Sequence, residues 1–217
     1  MENPPQIADP TDIFSHFDFA DLTQADSYKL LVSVVMPRPI AWVVSRDEAG
    51  AINAAPFSFF NIVSTDPPLV AIAASDRTDK DTLYNIRERG ELVIHMVSED
   101  LGEAMNTTAA NAPRGVDETQ LAGLELVPSR LVDVPRILAS PVALECTLFD
   151  IITPGPRSTI ILARVVYMHI RSDAFEDLSR LYIDPTRLRL IGRMHGAGGY
   201  TTTRDLFHIE RKSWPPK

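Results

Sequence analysis

Apolar residues in this chain recur mainly in short runs rich in β-branched and aromatic side chains, which are typical of strands. Pro56 is expected to interrupt the chain between the second and third runs, because proline cannot donate a backbone hydrogen bond. The pattern predicts strands at residues 40–45, 51–54, 57–64, 69–74, 92–97, 141–152 and 158–171, with further short strands at 180–190 and 206–209.

Helical spacing is confined to a few segments. Residues 23–35 suit an amphipathic helix that begins with Thr23 and Asp26 as a capping box and ends at the prolines of residues 36–39. Two more helices are predicted at residues 79–89 and 99–110, and residues 111–123 are predicted to form a loop or lid. Because helices do not alternate with strands, the chain favours a mainly β, mostly antiparallel barrel with peripheral helices over a doubly wound parallel sheet.

Length and composition indicate one globular domain. The 217 residues are 45% hydrophobic and 23% charged, and we assign residues 1–22 to an N-terminal arm and 23–217 to a single domain. The net charge of -8 argues against a general nucleic-acid surface but leaves room for a local anion pocket. Cys146 is the single cysteine, which excludes a disulfide framework and fits a reducing cytoplasm. No signal peptide, membrane span or histidine set with metal-ligand spacing is predicted.

The junction between the strand at 69–74 and the helix at 79–89 combines hydroxyls and cations. A helix start offers free N–H groups and a positive dipole end, so such a junction can hold a phosphate. The alternative interpretation is a helix cap with a solvated charged face. The hydroxyls are Ser75, Thr78 and Thr82, the cations are Arg77 and Lys80, and the helix begins at Asp79 or Asp81.

Two other stretches are candidates for ligand contact. Small residues followed by Pro56, at residues 53–61, expose backbone groups that a flat heterocycle could pair with, although Phe57 and its aromatic neighbours are more often core residues. Residues 192–200 hold four of the ten glycines and suggest a mobile or closely approaching loop. Within that loop, His195 is either an ordinary loop histidine or a group that handles protons or contacts a ligand.

Several motifs in this order resemble the flavin reductase-like family of FMN-binding split β-barrels. The resemblance covers about residues 23–170, and Gly192-Arg193-x-His195 is similar to a C-terminal signature of flavin reductases that serve two-component monooxygenases. The motifs are Pro37-Arg38-Pro39-Ile40-Ala41-Trp42-Val43, Asp47…Gly50, Asn53-Ala54-Ala55-Pro56-Phe57-Ser58-Phe59-Phe60-Asn61, Ser64…Asp66-Pro67-Pro68-Leu69-Val70 and Lys80-Asp81-Thr82…Asn85-Ile86.

This resemblance implies an antiparallel split β-barrel of Greek-key type and a homodimer with tightly bound FMN near the subunit interface. NAD(P)H is the implied hydride donor, with His195 beside the nicotinamide or the flavin, and a monooxygenase is a possible partner. The isoalloxazine would be lined by Asn53, Ala54, Ala55, Pro56, Phe57 and Ser58, and the phosphate held by Ser75, Arg77, Lys80, Asp81 and Thr82.

Two other functions remain open at this level. The chain could be an FMN-binding electron carrier without NAD(P)H turnover, or a barrel that has lost its flavin and serves as an interaction domain. Residues 1–22 and 98–140 match no reductase pattern, which makes them candidates for setting the electron acceptor.

Overall fold

The computed structural model describes residues 13–75, 81–110, 112–113, 115–156, 158–196 and 198–214, with Ser75 described by its backbone alone. Its centre is a seven-stranded sheet with strand order β2-β1-β5-β8-β9-β4-β3, in which every neighbouring pair is antiparallel. The strands are β1 Ala41–Arg46, β2 Ile52–Phe57, β3 Phe59–Thr65, β4 Pro68–Ser75, β5 Glu91–Met96, β8 Val142–Gly155 and β9 Ser158–Ile170.

The sheet closes on itself because its two end strands are neighbours in the chain. β2 and β3 lie at opposite ends of the strand order, yet only Ser58 separates them. A single residue cannot span a flat seven-stranded sheet, so the sheet curls until its ends meet. The predicted antiparallel barrel is therefore confirmed.

Helices and short strand pairs surround this barrel. The helices are α1 Gln24–Val34, α2 Asp81–Arg89, α3 Gly102–Thr107, α4 Glu118–Leu121 and α5 Pro185–Leu188, with single 3-10 turns at Glu99–Leu101, Ser172–Ala174 and Leu178–Arg180. The remaining strands pair in twos: β6 Leu126–Val127 with β7 Arg136–Ile137, β10 Phe175–Asp177 with β11 Tyr182–Ile183, and β12 Ile191–Arg193 with β13 Tyr200–Thr202.

The first four residues of strand β1, residues 41–44, are all apolar because the strand is covered on both faces. Ala41 and Val43 point into the barrel interior, where they pack with residues of β4, β5, β8, β9 and α2. Trp42 and Val44 point outward into a second apolar cluster that includes residues of α3 and the 132–137 segment. A strand buried on both faces loses the usual alternation of polar and apolar positions.

Several local predictions are confirmed. Thr23 caps α1 by accepting a hydrogen bond from the Asp26 amide at 3.2 Å, as the capping box requires. The long hairpin forms from β8 and β9, and β1 and β2 pair from Ala41↔Phe57 to Arg46↔Ile52.

Other local predictions are wrong. Pro56 does not interrupt a strand: β2 runs through it, because β2 is an edge strand and its outer side needs no N–H donor at that position. The break falls at Ser58. Residues 111–123 are not only a loop, since α4 forms within them behind Asp117, whose carboxylate accepts from the amides of Thr119 and Gln120.

Three further segments differ from the prediction. The helix expected over 99–110 is a 3-10 turn followed by α3, which ends at Thr107. Residues 180–190 form only the two-residue β11 and then α5, because Pro185 is better suited to a helix start than to a strand. Residues 206–209 form no strand, and Phe207 and Ile209 are exposed. A lone segment without a partner strand has no ladder to join.

Candidate functional site

A cleft of about 280 Å³ opens at the point where β2 passes into β3. It brings together two of the stretches that the sequence singled out, because Pro56, Phe57 and Ser58 form one wall and the glycine-rich segment forms another. The remaining lining comes from α1, α3 and the start of β1. The cleft is lined by Tyr28, Ile40, Pro56, Phe57, Ser58, Met105, Asn106, Ala109, Arg193, Gly198 and Tyr200.

The strand β2 connects this cleft to the start of α2. Asn53 lies near the α2 end of the strand and Ser58 at the cleft end. Five residue steps of about 3.3 Å place these two residues about 17 Å apart. An elongated ligand lying along β2 could therefore reach from the first turn of α2 to the cleft.

At the α2 end, the polar side chains bind one another. The Asn53 amide donates to the Thr82 hydroxyl at 2.7 Å, and the Asn85 amide donates to the Ser45 hydroxyl at 3.1 Å. All four residues are buried. These bonds fasten α2 to β1 and β2, and the cavity left beside Asn53 and Asp81 has a volume of only about 10 Å³.

The predicted phosphate residues are only partly placed. Arg77 and Lys80, together with Thr78 and Asp79, lie outside the described residues, and Ser75 is described only as the last residue of β4, paired with Ser158. Asp81 and Thr82 form the first turn of α2. On β9, the buried Thr159 hydroxyl has no hydrogen-bond partner among the described residues and sits opposite Ala74, next to the end of β4.

The edge of β2 is covered by a residue that the sequence did not single out. The Glu118 carboxylate on α4 accepts a hydrogen bond from the Ala54 amide at 3.0 Å, and Glu118 is buried. Burial raises the pKa of Glu118, and Asp81 and Asp117 add to this, while the hydrogen bond from Ala54 opposes it. Residues 98–140, which matched no pattern, thus supply part of the site's wall.

A second such residue is Arg38, which stands behind Ser58. Its guanidinium donates to the carbonyls of Val32 and Val35 at the end of α1, at 2.8 and 3.0 Å, and to the Met194 carbonyl at 2.7 Å. Its Nε lies 3.5 Å from the Ser58 hydroxyl. Arg38 therefore joins α1, the glycine-rich segment and the β2–β3 junction.

The glycine-rich segment is a hairpin fixed against residues 37–38. Arg38 and Arg193 exchange two backbone hydrogen bonds of 2.9 and 2.8 Å. A Cβ on Gly192 would come within 3.2 Å of the Pro37 side chain, which explains a glycine at this position. The Arg193 guanidinium stacks on the Tyr200 ring, 4.7 Å from its centroid, on the cleft wall.

His195 lies on the other side of this hairpin. It lines an open groove of about 800 Å³ beside α1, with Val32 and Gly196, and not the cleft at Ser58. Tyr28 lines both spaces, so the groove and the cleft adjoin at this side chain.

The sequence offered little sign of Arg38 or Glu118. Arg38 stands within the first motif, but nothing in the local pattern shows that it is buried. Glu118 follows Asp117 in a polar stretch where an exposed carboxylate is the ordinary expectation. Glu118 bonds to Ala54, 64 positions away, and Arg38 bonds to Met194, 156 positions away, so only the folded structure reveals these contacts.

Four further observations describe what the described part of the chain can do chemically. Within it, no cluster of histidine, cysteine and carboxylate side chains could hold a metal ion, and no helix is long and apolar enough to cross a membrane. Burial lowers the pKa of His95 to about 3, so His95 is neutral and accepts from the Ile137 amide at 2.9 Å. Burial also raises the pKa of Cys146 to about 12, which leaves it an unreactive thiol.

Comparison with known proteins agrees with this architecture. The sequence model of the flavin reductase like domain matches residues 33–190. The chain is 44% identical over 207 residues to an uncharacterised protein of Deinococcus radiodurans. The aligned region covers 92% of this chain and 91% of that protein.

Solved structures are similar over almost the whole chain. One is 2-nitrobenzoate 2-nitroreductase of Pseudomonas fluorescens, with 34% identity, a TM-score of 0.86 and coverage of 94% of this chain and 99% of that one. Another is nitrilotriacetate monooxygenase component B of Bacillus cereus, with 32% identity, a TM-score of 0.86 and coverage of 92% and 100%. The predicted split-barrel fold is thereby confirmed. On these matches, the chain belongs to the flavin reductase-like family.

Proposed function

We propose that the protein is an FMN-binding oxidoreductase that passes a hydride from NAD(P)H to flavin. The observation that carries this proposal is the position of the 280 Å³ cleft at Pro56–Ser58, at one end of the strand whose other end meets the first turn of α2. This layout suits a ligand with a flat ring at one end and an anion at the other.

The residues present fit FMN. The cleft is mostly apolar and aromatic, with Ser58, Asn106 and Arg193 as the polar groups that could fix a ring's orientation. At the other end, the first turn of α2 offers N–H groups. Opposite Ala74, near the end of β4, the buried Thr159 hydroxyl has no hydrogen-bond partner among the described residues and is a further possible donor. In the proposal, Arg77 and Lys80 supply the positive charge for the phosphate, and Arg77 suits it by its forked geometry. When bound, FMN supplies the two-electron redox chemistry.

The contacts of the predicted site residues give each of them a different role in the proposal. Asn53 and Thr82 act by holding α2 against β2, since their side chains are buried and bonded to each other. Ala54 is fixed by Glu118, and Ala55 and Pro56 continue the strand towards the ring. Phe57 and Ser58 face the cleft, while Asp81 contributes its place in the first turn of α2.

His195 keeps a role above the ring in this proposal, beside the nicotinamide. Its groove borders the cleft across Tyr28, and the groove is large and open enough for a second ligand to enter beside the ring. The chain thus offers one space for the flavin and an adjoining one for its reductant.

A homodimer is part of the proposal. Both end strands of the sheet meet at Ser58, and β3 and the C-terminal end of α1 present exposed apolar side chains: Leu31, Val34 and the C-cap residue Val35 at α1, and Phe59, Ile62 and Val63 on β3. The Tyr28 ring on α1 lies 6.4 Å from the Phe59 ring on β3, so the two elements adjoin, and exposed apolar surface is typical of a protein interface. A second copy placed there would cover the edge strand and close the site. The cytoplasm remains the expected location.

The electron acceptor is the open part of the proposal. Component B of nitrilotriacetate monooxygenase is a relative, which supports delivery of reduced flavin to a monooxygenase. A second candidate is direct reduction of a nitroaromatic acid, supported by the similarity to 2-nitrobenzoate 2-nitroreductase and by Arg193 on the cleft wall, which could meet a carboxylate. An electron carrier without NAD(P)H turnover is the remaining alternative.

Anaerobic stopped-flow mixing separates these functions. The FMN-loaded protein is mixed with NADH or with NADPH, and the bleaching of the flavin absorption band is followed. The proposal expects rapid bleaching with at least one of the two, and no bleaching with either would refute the reductase function. A protein that takes up no FMN would refute the whole proposal.

The acceptor is identified by a second mixing step. The reduced protein is mixed with free FMN, with 2-nitrobenzoate or with benzoate as a matched control without a nitro group. Reoxidation by 2-nitrobenzoate and not by benzoate would favour the nitroreductase, and reoxidation by free FMN alone would favour the flavin reductase.

A further inference from the structure

The most unusual charge among the described residues is the buried guanidinium of Arg38. Only 6% of the residue is exposed, and each of its hydrogen bonds in the described part of the chain goes to an uncharged oxygen. Buried arginines are ordinarily paired with a carboxylate, because an unpaired charge is costly away from water. Arg38 has no such partner there.

The helix end explains only part of this arrangement. The carbonyls of Val32, in the last turn of α1, and of Val35, its C-cap residue, lie at the helix end where the dipole is negative and favours a cation. That partial charge is about half an elementary charge. A full positive charge therefore remains only partly balanced.

A second guanidinium adds to the same region. Arg193 lies near enough to Arg38 to lower its pKa further, after burial itself, while Tyr28 opposes this. Arg193 donates to the Gly196 carbonyl at 3.1 Å and stacks on Tyr200, and it too forms no ion pair with a described residue. Two arginines without carboxylate partners thus stand at one end of the cleft.

Arg38 is linked to the cleft by the side chain of Ser58. Its Nε is 3.5 Å from the hydroxyl of Ser58, which lines the cleft. Because Arg38 is buried, water screens its charge only weakly. An anionic ring system at Ser58 would be stabilised, and a neutral one would not.

We propose that Arg38, assisted by Arg193, makes the protein bind reduced flavin in its anionic form and so raises the reduction potential of the bound flavin. Hydride transfer adds two electrons and one proton to a neutral ring, so the product carries one negative charge. The balance of the reaction requires either that this charge is stabilised in place or that a second proton is taken up. Arg38 stabilises the negative charge in place. This role rests on the proposed function.

The wild-type protein provides the first test. The absorbance of the reduced, FMN-loaded protein is recorded from neutral to acidic pH beside free reduced FMN. We expect the bound flavin to remain anionic at pH values where free reduced flavin has become neutral. Among the described residues, the titratable or charged groups at the cleft and its adjoining groove are Arg38, Arg193, Tyr28, Tyr200 and His195. Protonation of the bound and free flavins at the same pH would overturn the proposal.

Variants provide the second test, with the midpoint potential as the readout. Arg38→Gln keeps an amide donor but removes the charge, and it should lower the preference for reduced over oxidised flavin by about tenfold, which is about 30 mV for a two-electron couple. Arg38→Lys keeps the charge and should retain most of the potential. Arg130→Gln removes an exposed arginine that stacks on Tyr167, away from the cleft, and should change nothing.

The outcomes separate the two levels of the proposal. Normal FMN binding with an unchanged potential in Arg38→Gln, or an equal shift in Arg130→Gln, would overturn the role of Arg38 alone. If Arg38→Gln does not fold, the wild-type pH titration decides. Failure of the wild-type protein to bind FMN would refute the proposed function instead.

Discussion

The two ends of β2 use their polar residues differently. At the α2 end, Asn53 and Thr82 bind each other, and the adjoining cavity holds about 10 Å³. At the other end, Ser58 and Arg193 line a cleft of about 280 Å³, and Arg38 stands behind Ser58 without an ion pair to any described residue. The α2 end of β2 is thus fixed by hydrogen bonds within the protein, whereas at the cleft end Ser58 and Arg193 line a space that a ligand can enter.

This difference has a physical basis in the strand itself. Asn53 is held by a side-chain bond from the neighbouring helix, so its position is set before any ligand arrives. Ser58 lies where the sheet turns from β2 into β3, and a turning strand leaves room beside it. The hydrogen bonds that fix Asn53 at one end of β2 thus help to hold the strand in place for ligand binding at Ser58.

The largest expected effect concerns the phosphate. The double variant Arg77→Ala with Lys80→Ala should weaken FMN binding by about 3 kcal/mol, since charge-assisted hydrogen bonds contribute about 1.5–3 kcal/mol each and are not fully additive. Isothermal titration of the apoprotein with FMN measures this. Arg87→Ala, in the last turn of α2, is the control and should bind normally. Unchanged affinity in the double variant would place the phosphate elsewhere.

The next effect concerns the anchored end. Asn53→Ala removes the donor to Thr82 and leaves a buried hydroxyl without its partner, which should lower the free energy of unfolding by about 2 kcal/mol. Ser58→Ala, at the open end, should lower it by less than about 0.5 kcal/mol. Urea denaturation of the two apoproteins tests the contrast directly. Equal losses would show that the two ends are equally anchored.

A smaller effect is expected at His195. His195→Ala should slow flavin reduction by NAD(P)H by about tenfold, a modest loss for a group that orients or assists a transfer, and leave FMN bound. Stopped-flow reduction and FMN titration measure the two quantities separately. His208→Ala, in the exposed C-terminal segment, serves as the control. Lost FMN together with normal reduction of the flavin that remains bound would reverse the assignment.

The smallest effect is a pH dependence at Glu118. Its pKa is raised mainly by burial, so its contribution to stability is present below the unfolded pKa of about 4.3 and is lost as pH rises through the folded value. Glu118→Gln keeps an oxygen that can accept from Ala54 but cannot titrate. Its unfolding free energy should therefore depend less on pH and exceed that of the wild type at neutral pH.

Denaturant titrations between pH 4 and 8, roughly the range in which a buried carboxyl titrates, make this comparison. Glu125→Gln changes an exposed carboxylate in the following loop and should leave the pH dependence as it is. The same slope in wild type and Glu118→Gln would show that Glu118 does not titrate differently in the folded state.

Local chemistry made much of the fold predictable. The capping box at Thr23, the β-branched runs and the long hairpin of β8 and β9 all depend on neighbouring residues, and they form as expected. The wrong predictions concern segments whose structure depends on distant neighbours. Pro56 is tolerated within β2 only because β2 is an edge strand, which the local sequence does not show. Residues 206–209 have the composition of a strand but no partner strand to pair with.

The candidate site divides in the same way. The stretch 53–58 and the glycine-rich segment could be singled out from residue types, and the family motifs gave their order. The position of β12 and β13 against residues 37–38 brings both segments to one cleft and places His195 in a separate groove. The phosphate residues Arg77 and Lys80 stay a prediction.

The sequence by itself determined the short strands, the family and the residue types at both ends of β2, because propensity and motif order are local properties. The tertiary structure decided which polar groups are occupied and which remain available. Nothing in the sequence distinguishes how the polar residues Asn53, Glu118 and Arg38 will be bonded. The fold joins the Asn53 amide to Thr82, the Glu118 carboxylate to the Ala54 amide, and the Arg38 guanidinium to three carbonyls and the Ser58 hydroxyl. Burial and most of these partners come from other segments of the chain, so only the closed barrel could fix them.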